Sequence, residues 1–164
     1  GDIIVSSLEC YREMSLVDSQ GRRLAFDEVG SGIGYVLPAL ISSHSSEKIV
    51  VLQQPDLHLH PALQAALTDV LIEALGDNNK KIICETHSEH MILRALRRVR
   101  QTTAGKLIDQ QLALSSDDVM VNYFEPKIGG GTKIYPLRVS EDGDFVDRWP
   151  HGFFSERDQE LFDE

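Results

Sequence analysis

The 164-residue chain predicts an α/β architecture: a mainly parallel sheet flanked by helices on both faces, followed by a small antiparallel β appendage. Three observations carry this. Residues 49–52 and 80–84 are short, largely apolar runs of the kind found in strands buried on both faces. Each precedes apolar residues at helical spacing, Leu63, Leu67, Val70, Leu71 and Ala74 after the first and Met91, Ile92, Ala95, Leu96 and Val99 after the second. Beyond residue 115 the pattern turns strand-like around Gly129, Gly130 and Gly131.

Taken in order, residues 8–17 and 22–26 read as a hairpin around the polar turn at 18–21, which ends in Gly21. Gly30, Gly32 and Gly34 predict a glycine-rich loop feeding a helix on which Ile33, Val36, Leu37, Leu40 and Ile41 recur. The two strand-helix units then predict helices over 62–75 and 88–100 with short connections, hence the parallel sheet. Strands over 118–124 and 132–139, a turn at 141–144 and a docked aromatic tail at 149–162 complete the chain. Residues 1–115 form the main lobe in this reading, and 116–164 its appendage and tail.

Composition narrows the function. With 26 acidic against 16 basic residues the formal charge is −10, which disfavours a surface that coats phosphate backbones and leaves room only for a local basic patch. Arg94, Arg97, Arg98 and Arg100 concentrate positive charge on one helix, where a solvated face is the ordinary reading and a phosphate or partner contact the sharper one. No apolar run approaches the roughly 20 residues of a membrane helix, and a cytoplasmic, soluble protein is expected. Cys10 and Cys84 are too few for a disulfide framework, and Cys84 reads as a buried free thiol. A start at Gly1, running directly into a strand-like segment, is expected of a piece of a longer chain.

Ligands of open α/β sheets bind beyond the carboxyl ends of the strands. Here those loops hold Gln53, Gln54, Asp56, His58 and His60, and then Glu85, His87, Glu89 and His90. Two chemistries are open. His58, His60, His87 and His90 with Glu85 and Glu89 could supply the three ligands of a hydrolytic metal centre. Pro61 and a helix follow the first histidine pair at once, and His90 lies one turn into the next helix, which argues against that gathering.

The segments EVGSGIGYVLPAL (28–40), VVLQQPDLHLHP (50–61) and ETHSEH (85–90) occur in an order that resembles the carboxyl-terminal half of an ABC-class ATPase head. The similarity is to the branch of RecF, SMC and OLD proteins, grouped among AAA-type ATPases. WPHGFFSE (149–156) resembles the carboxyl-terminal region of one subgroup, so the resemblance spans most of residues 18–160. It implies a partial P-loop NTPase fold that binds ATP and Mg²⁺. Gly30, Ser31, Gly32 and Gly34 would match the signature loop facing the γ-phosphate of ATP held on a partner head, although no clear LSGGQ is present. Gln53 would stand at the Walker B acid that holds Mg²⁺ through water, and Gln54 at the catalytic glutamate. Asp56 and His60 would lie on the D-loop, and His87 would be the switch histidine. An amide keeps a carboxylate's shape and loses its charge, so Gln54 can orient a water but cannot accept its proton. Glu85 is the nearest alternative base.

No G-x-x-x-x-G-K-[ST] occurs in the chain, so the resemblance implies a Walker A segment supplied upstream or by another chain. It further implies a homodimer or paired head, an attached nuclease or other effector, DNA contact, and a role in DNA maintenance or anti-phage defence. Hydrolysis is expected to be weak or altered. A noncatalytic ATP-gated or structural module is the alternative, and a histidine-rich metal hydrolase a third.

Overall fold

Alternation of apolar and polar residues at both ends of the chain, and helical spacing between them, sets the element order. The computed structural model describes residues 2–8, 11–76 and 79–150. β1 (Asp2–Leu8), β2 (Tyr11–Val17) and β3 (Arg23–Ala25) form an antiparallel meander, so the strand expected over 8–17 is two strands, with Leu8 facing Tyr11. The predicted β2–β3 turn is present. Asp18 Oδ1 accepts the N–H groups of Gln20 at 2.8 Å and Arg22 at 2.9 Å, and Gly21 takes the left-handed φ of 79°. Those Arg22 bonds, backbone first and then guanidinium, hold the Asp18 carboxyl below its ordinary range.

α1 (Ser31–Ser43) corrects the expected glycine loop, because Gly32 and Gly34 lie inside the helix and only Gly30 remains outside as its N-cap. Gly32 is required by close packing: a Cβ there would meet His58 O at 2.8 Å. At the other end, Lys80 Nζ donates to the carbonyl of Ser43 at 2.6 Å, which the helix leaves open, and to that of Ser45 just beyond it at 2.7 Å.

β4 (Ile49–Gln53), α2 (Pro61–Leu75), β5 (Lys81–Glu85) and α3 (Glu89–Thr103) follow as two strand-helix units. β4 and β5 run parallel, from Ile49 opposite Lys81 to Gln53 opposite Glu85. Val50 and Leu52 face a core shared with Ala39, Leu67, Leu71 and Met91, against which Ile82 and Cys84 also pack. All three helices contribute to that one face. The opposite face is open, with Val51 70% and Ile83 58% exposed and Ile49 beside them. The expectation of a mainly parallel sheet with helices on both faces is therefore corrected. Among the described residues the parallel part is two strands, covered on one side, and the other strands are antiparallel.

A second cluster, Ile72, Val99 and Leu114 with Leu112, Val119 and Val139, joins α2 and α3 to the appendage. Arg94 and Arg98 both reach Asp69, at 3.0 and 2.6 Å, while Arg100 donates to the carbonyls of Asp142 at 2.9 Å and Gly143 at 3.0 Å. These three arginines thus tie α3 to α2 and to the appendage, which corrects the expectation of a merely solvated face.

The strand expected from 118 begins later, because Ser116–Asp118 is a 3-10 turn closed by Ser115 and Asp118. β6 (Val121–Pro126) and β7 (Thr132–Leu137) then pair around Gly129, Gly130 and Gly131. Trp149 packs edge-on to Phe145, with ring centroids 5.0 Å apart. Beyond Pro150 the predicted tail lies outside the described residues, as does Cys10. No helix of the described residues is long and apolar enough to cross a membrane.

Candidate functional site

Side chains on a strand alternate between faces, so Gln53 continues the row of Ile49 and Val51, and Glu85 the row of Lys81 and Ile83. Gln53 and Glu85 are direct partners in the parallel register, and both are exposed at the carboxyl ends of their strands. The next residue, Gln54, turns away sharply. Its N–H donates to Glu85 O at 2.8 Å, and it adopts φ 44°, a conformation unusual for a residue with a side chain.

The loop after β4 curls in two consecutive turns, Leu57 N–H to Gln54 O and Leu59 N–H to Asp56 O, both 3.1 Å, with His58 at φ 60°. This curl decides where the predicted residues lie. Asp56 is carried inward to 9% exposure, and its Oδ1 accepts the Thr86 hydroxyl at 2.7 Å. His60 becomes the N-cap of α2, its Nδ1 accepting the Ala62 N–H at 3.2 Å ahead of Pro61 at the first helical position. His58 packs its ring on Tyr35 of α1, centroids 5.1 Å apart.

α1 therefore meets this loop through its first turns, where Gly32 abuts His58 and Leu59. Gly30 and Gly34 have open space where a Cβ would stand, and no side chain caps the helix start. Uncapped amides at a helix N-terminus are the groups an anion seeks. A shallow cavity of about 220 Å³ lies further along α1, between it and β4, lined by Tyr35, Pro38, Ser42, Val51, Gln53 and Pro55.

After β5 the chain runs through Glu85, Thr86 and His87 to Ser88, the N-cap of α3, whose hydroxyl accepts the Met91 N–H at 3.2 Å. His87 is exposed between part-buried Thr86 and buried Ser88. Cys84 points into the core face, and burial, with the Asp56 and Glu85 carboxylates nearby, pushes its thiol up to about 12. It is a free cysteine, held in its neutral thiol form at neutral pH.

The structure thus brings Gln53, Gln54 and Glu85 together at one strand end, links Asp56 to the His87 loop through Thr86, and joins Gly32 to His58. Among the described residues, no three His, Cys, Asp or Glu side chains gather as a metal site, so the expected alternative of a histidine metal centre is not formed. Thr86, Ser88 and Gln64 emerge as residues that spacing alone did not single out. Their only sequence signal is the Thr-His-Ser run, and Gln64 carries none because its partners come from two distant loops.

Polar groups at the ends of parallel strands, flanked by an uncapped helix start, fit the phosphate end of a nucleotide. Mg²⁺ favours charged oxygens, and the carboxylate that the strand end presents is Glu85, with Gln53 offering an amide oxygen. No curated protein and no solved structure matches the chain. A family described as "AAA domain, putative AbiEii toxin, Type IV TA system" matches residues 13–94, from β2 through the first turns of α3. That span is half of the chain and contains α1, both parallel strands and both loops, so the chain belongs to this AAA-domain family of P-loop ATPases.

Proposed function

We propose that this chain is the distal part of an ABC-class ATPase head that closes around ATP with a second head, in a homodimer or a paired arrangement, and so drives an attached effector. The observation that supports it most is the open strand end. Gln53 and Glu85 lie side by side at the end of the uncovered face of β4 and β5, with Gln54 bonded through its N–H to Glu85 O, and these strands pair only with each other among the described residues. A Walker A strand from upstream sequence or a second chain would pair along an open edge of these strands, and its loop and the helix after it would supply the phosphate cradle and cover the face. Bound ATP and Mg²⁺ would bring the phosphoryl group and its neutralising charge.

In this reading Gln53 holds metal-bound water through its amide oxygen, and Gln54 orients a water without taking its proton. Glu85 is the remaining carboxylate at the strand end, and His87 donates toward the terminal phosphate. The start of α1, at Gly30, Ser31, Gly32 and Gly34, faces the nucleotide of the opposing head. Asp56 and His60 act from within the loop, shaping it rather than touching the ligand. A nuclease or other effector, DNA contact and a role in DNA maintenance or defence follow from kinship of this kind.

The two neutral glutamines favour a second reading, an ATP-gated module that binds and holds nucleotide without turning it over. The native full-length protein separates the two. Equilibrium binding of Mg·ATP that is weakened by His87→Ala supports the head, and its absence sinks both readings. Steady phosphate release lost in Glu85→Gln then marks an enzyme, while tight binding without release marks the gated module.

A further inference from the structure

Both neighbours of His87 are fixed to the other loop. Thr86 donates its hydroxyl proton to Asp56 Oδ1 at 2.7 Å and accepts the Ser88 N–H at 2.9 Å. Ser88, 6% exposed, donates to Gln64 Oε1 at 2.7 Å. The other end of that amide donates to the carbonyls of Leu59 at 3.0 Å and Asp56 at 3.4 Å. The chain from Asp56 to Leu59 is thereby held at two points to residues 86 and 88, with His87 between them.

The residue types matter. A hydroxyl can donate to a carboxylate and accept an amide N–H at once, and a carboxamide donates at one end while accepting at the other. Neither a valine nor a leucine can do this, although each preserves much of the shape. Gln54 stands two residues before Asp56 and is itself hydrogen-bonded to Glu85 O, so both ends of its loop are tied to the segment that carries His87.

We infer that Thr86, Asp56 and Gln64 are positioning residues, which hold the loop after β4 and the loop after β5 as one unit and fix His87 relative to Gln54. The placement stands on these bonds alone; its consequence for ATP rests on the reading proposed above. Through it, displacement of either loop displaces the other. Closure against a second head at one loop would thus be felt by the histidine on the other.

The test uses the native full-length protein with ¹³C-labelled histidine rings. Thr86→Val and Gln64→Leu are each expected to shift or broaden the His87 signal, Thr86→Ser to restore it, and His44 at the far end of α1 to stay unchanged. Gln64→Leu keeps the question open to measurement if the buried Asp56 left by Thr86→Val prevents folding. An unchanged His87 signal in a folded variant overturns the inference, and so does a disturbance of His44 equal to that of His87, which would mean general loosening.

With Mg·ATP, kcat is expected to fall on the order of 100-fold in Thr86→Val while KM stays within about twofold, because misplacement of a reacting group acts on the chemical step. A His87 response in a protein that binds no ATP would leave the positioning intact and remove the ATPase reading. An unaltered kcat in a variant whose His87 signal has moved would overturn the catalytic consequence.

Discussion

Gln54 occupies a strained backbone position at φ 44°, and such positions persist where surrounding contacts enforce them; here the bond from its N–H to Glu85 O does so. Glutamate has the same shape, so Gln54→Glu combined with Gln53→Asp leaves those contacts in place while restoring a proton acceptor. In the full-length protein this pair of changes is expected to raise phosphate release by about 100-fold, the scale of a positioned general base. A rate equal to wild type would assign the proton to Glu85. Cys84 gives a second residue-level prediction. With its thiol pushed up to about 12, alkylation mapped to the Cys84 peptide at pH 8 should run on the order of 1,000-fold slower than that of an exposed thiol. The sign for stability follows. The raised folded value favours the neutral thiol, so its contribution is complete below the ordinary value of 9.0 and is lost as pH climbs toward about 12. A denaturation midpoint unchanged between those limits in wild type relative to Cys84→Ala would contradict the burial argument.

Within α1, two glycines two residues apart should respond in opposite directions. Gly32→Ala drives a methyl into His58 O and Leu59, at an overpacking cost of about 1–3 kcal/mol, whereas Gly34→Ala meets open space and gains about 0.5–1 kcal/mol from helix propensity. Urea midpoints of the two variants check this, and equal shifts would mean that α1 does not rest on the loop. Gly143→Ala should resemble the costly case, since Gly143 has φ 69° and its added methyl would meet Leu96 O and Arg100. α2 and α3 were legible in the sequence because burial of one helical stripe leaves a 3.6-residue period. The loop interior was not, because whether Asp56 faces a ligand or Thr86 depends on the left-handed turns at Gln54 and His58, which residue type does not announce. Nor was the sheet's coverage. Ile49, Val50, Val51 and Leu52 read as buried on both faces, yet only Val50 and Leu52 are covered, since apolar type records what a surface is suited to meet and not what meets it.

Across the described residues, each of the three sheets presents apolar side chains to solvent. Ile3, Val5 and Met14 do so on the amino-terminal meander, Val51 and Ile83 on the parallel pair, and Phe124 and Ile134, 60% and 54% exposed and cross-strand partners, on the appendage. Apolar faces of this kind mark surfaces suited to further chain or partner. Against their attraction stands a formal charge of −10, which makes copies of the chain repel. Salt screens that repulsion within roughly 10 Å at 0.1 M and leaves apolar attraction intact. The 164-residue chain should therefore self-associate more as salt rises, with an apparent mass by light scattering that grows between low and moderate ionic strength. Val51→Thr with Ile83→Thr, isosteric or nearly so and strand-compatible, should reduce that growth if the open parallel face is its seat. Under the proposed head, in which a Walker A segment packs on that face, the same pair of changes in the full-length protein should weaken Mg·ATP binding. Association that falls with salt would instead show ionic contacts between copies. Association that is indifferent to both substitutions would move its seat to the meander or the hairpin, and would leave the parallel face without the role assigned to it.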